Sequence, residues 1–378
     1  MKFKKTAVIL ALLLMLFCFS PRAQCAENNE LYDEQLEASG ANELFDVLTR
    51  DELELLETLG LDEIDFDSVF SPSLRSVTDL FWQIIRSEYR LPFESLGVAA
   101  MCVVALAAVS QFLPDGIKIS KVPGFTAGIM TALSVVIPLS SCITRAVSAI
   151  ALSSNFVTAL IPVLAAIITA GGKPSLALTY NSLSFAAAQV VSSLGSTVIR
   201  PVIQVIMSLS IISCVSQSAD ISKILEFAKK TVVFVMSLSA TVFVTMLSLK
   251  GMLAASADTV AVRGIRFLIG NMIPVVGGAV SDAYLSIVGT LSLVKNTVGV
   301  FALAVVAVIN LPVIAECIMW VLTLNMLALL GDVFSQNGLS SLFRSVSSAA
   351  VLLCVTVVLE MLVFLLSVGL VLVIGGSA

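Results

Sequence analysis

The chain has 378 residues, of which 58% are hydrophobic and 12% are charged, and its net charge is −5. Soluble domains are roughly half apolar, whereas the mean hydropathy of this chain is +1.04, so the composition excludes a soluble globular protein and predicts an integral membrane protein. The charge is unevenly distributed, because residues 27–70 hold 15 of the 26 acidic residues and a single basic residue, Arg50.

The chain contains no histidine. This absence excludes histidine-dependent acid–base catalysis, nucleophiles that a histidine activates and most catalytic zinc sites. The seven cysteines show no CxxC spacing and are predicted to be small buried hydrophobic residues. No basic cluster with interleaved aromatic residues indicates nucleic-acid binding. We therefore expect a protein that is not an enzyme and has no cofactor, metal or nucleic-acid partner.

Residues 1–26 have the pattern of a secretory signal peptide. Lys2, Lys4 and Lys5 precede an apolar run over residues 7–19, and small residues follow up to Ala26. That order is typical of a cleaved signal. Cleavage after Cys25 is an alternative. An uncleaved signal anchor is another, although the apolar run is short for a membrane span.

Residues 27–93 are predicted to be an exported acidic segment of short amphipathic helices. Thr49-x-x-Glu52 is a capping box ahead of leucines at helical spacing. Ser71-Pro72 then opens a second helix, whose aromatic residues and arginines suit a membrane interface and which Pro92 ends. Its apolar face consists of Leu74, Val77, Phe81, Ile84 and Ile85. The acidic part is expected to be a solvated spacer, with a docking surface for a basic partner as the alternative.

Residues 94–378 are predicted to form a polytopic transmembrane domain. Long apolar runs with uncharged interiors are transmembrane candidates. They are residues 96–113, 124–143, 146–170, 176–199, 231–249, 298–318 and 346–374, with a shorter run at 202–216. If the signal peptide is exported, the acidic segment lies outside and the first span runs inward. Lys121 and Lys173 then face the cytoplasm and Arg145 lies outside, which follows the positive-inside rule. The expected fold is an all-α polytopic membrane protein, a bundle of six to nine spans.

Residues 264–297 are predicted to form a broken hairpin. Its apolar arms, residues 265–276 and 283–294, are each too short to span a bilayer as a helix. The residues that break it are Pro274, Gly277, Gly278 and Asp282. Broken backbone at membrane depth requires protein or water to satisfy its amides and carbonyls, so these four are candidate functional residues of a channel or transporter. A helical hairpin on the membrane surface, without a pore, is the alternative.

Two carboxylates, Glu316 and Glu360, lie within the apolar runs. An ionisable side chain at membrane depth is costly, which makes each a functional candidate. Glu316 lies near a run end and could reach an interface. Glu360 is central in residues 346–374 and has no basic sequence neighbour. We expect Glu360 either to be neutral and hydrogen-bonded to a Ser or Thr of another helix, or to face a water-filled path.

Four short strings resemble the stage III sporulation protein AE family. They are ALIPVLAAIITAGG (159–172), GNMIPVVGG (270–278), SDA (281–283) and LVKNTVG (293–299). The resemblance implies a multi-pass subunit of the stage III A–stage II Q channel or secretion complex, in the mother-cell membrane around the forespore. It implies stage II sporulation protein Q and other stage III A proteins as partners, including a secretion-type ATPase and ring-forming subunits. It supplies no catalytic residue.

Two other functions fit the residues. One is a self-sufficient ion-coupled secondary transporter, since intramembrane carboxylates and broken apolar segments occur in such proteins. The other is a structural assembly platform that conducts nothing. Gradient-driven uptake by the purified protein in liposomes would distinguish the transporter from both remaining functions.

Overall fold

The computed structural model describes residues 29–70, 73–112, 121–215, 221–272 and 277–376. Helices occupy most of these ranges, and no strand occurs within them. The predicted all-α fold is confirmed for this part of the chain. The predicted signal peptide, residues 1–26, lies outside the described residues.

The acidic amino-terminal part folds into short helices that bury one apolar side. They are α1 (Asn29–Ala38), a 3₁₀ helix (Ala41–Val47), α2 (Arg50–Leu59), α3 (Phe66–Phe70) and α4 (Leu74–Glu88). The capping box at the start of α2 is confirmed, because the Glu52 carboxylate accepts a hydrogen bond from the backbone N–H of Thr49 at 3.1 Å. Helix α4 ends before Pro92, and Pro92 lies in the first turn of the next helix, where its missing N–H is tolerated.

The remaining helices are long and form the bundle. They are α5 (Arg90–Phe112), α6 (Lys121–Ala170), α7 (Pro174–Ser193), α8 (Arg200–Val215), α9 (Ile221–Met272), α10 (Gly277–Val333) and α11 (Asn337–Gly376), and a π-helical stretch (Leu194–Ile199) joins α7 to α8. Within the described ranges, 6 helical stretches are long and apolar enough to cross a membrane. This count lies at the lower end of the predicted number of spans and agrees with a membrane protein.

Helices α10 and α11 form the centre of the bundle. They pack against each other as an antiparallel pair, and α6 packs on both. Helices α7 and α9 cover one side of this centre, whereas α1 to α4 contact α10 on another side. Large fully buried side chains fill the space between these helices, among them Phe156, Phe301, Trp320 and Phe364.

Two predicted spans, residues 124–143 and 146–170, are in fact one helix. Helix α6 has 50 residues, so it is about 75 Å long at ~1.5 Å per residue. Lys121 begins α6 and Lys173 follows its other end, so the two separate spans from which both lysines were placed in the cytoplasm do not occur. The helix continues through Arg145, whose partly exposed side chain pairs with Glu88 and Glu316, as described below.

The predicted arms of the hairpin are the ends of two long helices. Residues 265–272 continue α9, which has 52 residues. Residues 283–294 belong to α10, which has 57 residues. The arms are therefore not separate short helices. Pro274 lies outside the described residues. Gly277, Gly278 and Asp282 lie in the first turns of α10, and their side chains are outside the described part.

Candidate functional site

Three polar side chains from three helices meet in the core of the bundle. They are Ser153 of α6, Asn310 of α10 and Glu360 of α11, and none is more than 1% exposed. The Nδ2 of Asn310 donates to Ser153 Oγ at 2.8 Å and to the carbonyl of Val306 at 2.9 Å. The Ser153 hydroxyl also lies beside the carboxyl group of Glu360. We call these three residues the core cluster.

The core cluster has more acceptors than donors. Both carboxylate oxygens of Glu360 and the Oδ1 of Asn310 are buried without a hydrogen-bond donor among the described residues. A buried polar group that lacks its partner costs ~1–3 kcal/mol. Pro312, in the next turn of α10, also has no N–H to donate to the carbonyl of Val308. The serine of another helix that the sequence predicted beside Glu360 is present, but it does not satisfy the carboxylate.

Glu316 lies in a second group and is paired. The guanidinium of Arg145 donates to Glu316 Oε2 at 2.7 Å and to both oxygens of Glu88 at 2.6 and 2.7 Å. The Nε1 of Trp320 lies 3.4 Å from the other Glu316 oxygen. Glu316 is 1% exposed, so it does not reach an aqueous interface by itself. Its partners connect the end of α4 to α6 and α10.

A second charged group, with Lys173, Asp258 and Lys295, lies near the turn between α6 and α7. The carboxylate of Asp258 accepts from the backbone N–H groups of Ser175 and Leu176 at 3.1 and 2.8 Å, so it caps the positive end of α7. Burial lowers the pKa of Lys173, and the nearby Asp258 carboxylate acts in the opposite direction. The ammonium of Lys295 is buried and donates to the carbonyl of Leu372 at 3.4 Å.

The two charged groups mark two levels along the bundle. Lys295 and Glu316 both lie on α10 and are about 31 Å apart along its axis at ~1.5 Å per residue. This separation is close to the ~30 Å hydrocarbon thickness of a bilayer. The core cluster lies between the two levels, because Asn310 is about 9 Å along α10 from Glu316.

The structure does not bring all the predicted site residues together. Glu316 and Glu360 belong to neighbouring but separate groups. Gly277 and Asp282 lie on α10 at least about 40 Å from Asn310 along the helix axis. Ser153, Asn310 and the pairing of Arg145 were not among the predicted site features. Asn310 could have been predicted from the sequence, because it is an amide in the middle of the apolar run 298–318.

The acidic helices cover α10 between the two charged levels. The ring of Phe45, in the 3₁₀ helix, packs on the ring of Phe301 with a centroid distance of 5.1 Å. Phe301 is about 9 Å along α10 from Lys295. The helices bury their apolar residues against the bundle and leave their carboxylates exposed. The exposed acidic residues include Glu34, Glu37, Glu43, Asp46, Glu54 and Glu57.

Helix α9 exposes apolar side chains at the same level. Gly251 of α9 lies against the side chain of Ile374 of α11. Lys295 of α10 donates to the carbonyl of Leu372, two residues away on α11. Gly251 and Lys295 therefore lie at the same height along the bundle. From there toward the level of Glu316, α9 exposes Leu249, Met246, Val242, Leu238 and Phe234. Helix α9 packs mainly on α7 and α11, away from the acidic helices. One level of the molecule thus presents carboxylates on one side and apolar side chains on another.

Comparison with known proteins identifies relatives of the chain. The stage III sporulation protein AE family matches residues 62–375. Stage III sporulation protein AE of Bacillus subtilis (strain 168) is 24% identical to this chain over 250 residues, and the match covers 65% of the chain and 61% of that relative. The chain thus matches less than two thirds of the length of the curated relative. No solved structure matches it.

Proposed function

This chain belongs to the stage III sporulation protein AE family, and on that premise we propose that it is a multi-pass membrane subunit of the stage III A–stage II Q channel or secretion complex. The complex links mother cell and forespore and is needed for late forespore development. The subunit acts without enzymatic activity in the mother-cell membrane around the forespore. Its partners are stage II sporulation protein Q and other stage III A proteins, including a secretion-type ATPase and ring-forming subunits.

The observation that supports this proposal best is the unequal surface between the two charged levels. Beside Phe301, the acidic helices expose Glu43 and Asp46, whereas α9 exposes Val242 and Met246 at a similar level. Carboxylates require water, because a charge in hydrocarbon costs several kcal/mol. An apolar face of this extent requires lipid or protein.

A single copy in a flat bilayer cannot place the carboxylates in water and the apolar face of α9 in lipid at the same level. If this level is in the membrane, protein must separate the carboxylates from lipid. If it is outside the membrane, another protein must cover the apolar face of α9. Either placement requires further protein around the chain, which favours a subunit of an assembly over a protein that works alone.

The self-sufficient transporter is the second candidate, and the core cluster is the observation that favours it. A buried carboxylate beside an amide and a hydroxyl is the kind of group that ion-coupled transporters use. The purified full chain in liposomes distinguishes the two. Gradient-driven uptake by the chain alone supports the transporter, whereas uptake that requires the other complex subunits supports the proposed subunit.

Deletion of the gene tests the sporulation assignment. We expect the deletion strain to complete engulfment and then to arrest in late forespore development, so that the number of heat-resistant spores falls by orders of magnitude. Expression of the intact chain from a second locus should restore the spores, which controls for effects on neighbouring genes. Normal numbers of heat-resistant spores in the deletion strain would contradict the assignment.

A further inference from the structure

We propose that Ser153, Asn310 and Glu360 form a binding site for a small cation, either a sodium ion or a proton. The site lies where α6, α10 and α11 meet. This inference does not depend on the role in sporulation, because it follows from the oxygen atoms and the charge of the core cluster alone.

The core cluster offers the type of ligand that hard cations prefer. Its oxygens are a carboxylate, an amide carbonyl and a hydroxyl, and oxygen ligands of this kind suit hard cations such as those of the alkali and alkaline-earth metals. Three of these oxygens have no donor among the described residues. The remaining oxygen, Ser153 Oγ, already accepts from Asn310 at 2.8 Å. That hydrogen bond holds Ser153 and Asn310 together beside the carboxyl group.

The charge of Glu360 points to the same conclusion. Glu316 has Arg145 as a counter-ion at 2.7 Å, but no charged side chain of the described residues faces Glu360. The charged groups whose contacts are described above lie at the two levels, away from the core cluster. Arg145 and Glu316 pair at one level, and Lys173, Asp258 and Lys295 lie at the other. A buried carboxylate without a counter-charge costs far more than a paired one, so Glu360 must either carry a proton or hold a bound cation.

A sodium ion and a proton satisfy the cluster in different ways. A sodium ion would be held by both carboxylate oxygens together with Asn310 Oδ1 and Ser153 Oγ. A proton on Glu360 would be donated to Asn310 Oδ1, and the Ser153 hydroxyl would then donate to the other carboxyl oxygen. In both states the cation connects the three central helices, so its binding is coupled to the stability of the bundle.

The first measurement is thermal unfolding of the purified full chain in detergent, in sodium chloride and in choline chloride at equal ionic strength. If sodium binds, the melting temperature rises by a few degrees in sodium and the rise saturates with concentration. Glu360→Gln keeps the shape of the side chain and should abolish the rise. Ser367→Ala is the matched control, because Ser367 is a buried serine of α11 that pairs with Ser184 at 3.0 Å and should leave the rise intact.

The second measurement tests the proton. The carbonyl stretch of a protonated carboxyl group is recorded by infrared spectroscopy from pH 5 to pH 9, as the difference between the native chain and Glu360→Gln. A band that titrates within this range supports a proton site. If Glu360→Gln does not fold, Asn310→Ser takes its place as the variant. Direct binding of radioactive sodium to the native chain is then measured as well. The proposal is overturned if sodium neither binds nor stabilises the chain and the Glu360 band is absent or unchanged across the range, since a permanently neutral carboxyl is only structural.

Discussion

Replacement of Arg145 by alanine is expected to destabilise the chain by about 2–3 kcal/mol. The change leaves the Glu316 carboxylate buried without its cation, and breaking a fully buried ion pair costs ~3–5 kcal/mol. The expected value is lower because the side chain of Arg145 is 45% exposed, whereas that of Glu316 is 2% exposed. Thermal unfolding in detergent measures the loss, and Glu88 should lose its contact with the bundle at the same time.

Arg90→Ala is the matched control for this prediction. Arg90 pairs with Glu94 at 2.8 Å, but both side chains are largely exposed, and such pairs contribute ~0–1 kcal/mol. The double variant Arg145→Ala with Glu316→Gln should recover part of the stability, because it removes the unpaired charge. Equal stability of Arg145→Ala and Arg90→Ala would contradict the pairing of Arg145 with the buried carboxylate of Glu316.

Replacement of Leu44 by aspartate is expected to release the acidic helices from the bundle. Leu44 is 1% exposed in the 3₁₀ helix that contacts α6. The change loses the ~1.5–3 kcal/mol of burying a leucine and also places a carboxylate in an apolar contact, which costs several kcal/mol more. Limited proteolysis of the purified chain should then cleave within residues 29–70 many times faster, while the long helices stay protected.

Asn42→Asp is the control for this change. Asn42 lies in the same 3₁₀ helix but is exposed, so the same new charge should leave the rate of cleavage close to that of the native chain. Rapid cleavage of both variants would indicate that charge alone, and not the packing of Leu44, releases the segment. Slow cleavage of Leu44→Asp would contradict the packing of the acidic helices on α6 and α10.

The features that the sequence predicted well are those that depend on local pattern or composition. The apolar content indicated a helical membrane protein, and the spacing of Thr49 and Glu52 located the start of α2. The isolated charge of Glu316 and Glu360 marked two polar positions in the core. These inferences required only neighbouring residues or the average composition, and so the sequence contained the necessary information.

The features that it predicted poorly depend on residues far apart in the chain. Arg145 was expected to lie outside the membrane between two spans, because its partners Glu88 and Glu316 are distant in sequence and their pairing with it leaves no local pattern. Ser153 meets Asn310 only because α6 and α10 run side by side. Cys142 and Cys317 are buried as predicted, but no local pattern indicated that their sulfur atoms lie 3.7 Å apart. Such contacts follow from the packing of the bundle and leave no local pattern.

Purification of the chain from sporulating cells tests the central proposal most directly. The chain carries a tag at its native locus, the membranes are solubilised in a mild detergent, and the mass and composition of the purified particle are measured. We expect a particle much larger than one chain that contains other stage III A proteins and stage II sporulation protein Q. Two results together would contradict the proposed role as a subunit of the complex. They are a particle that contains this chain alone and gradient-driven uptake by that chain when it is placed in liposomes.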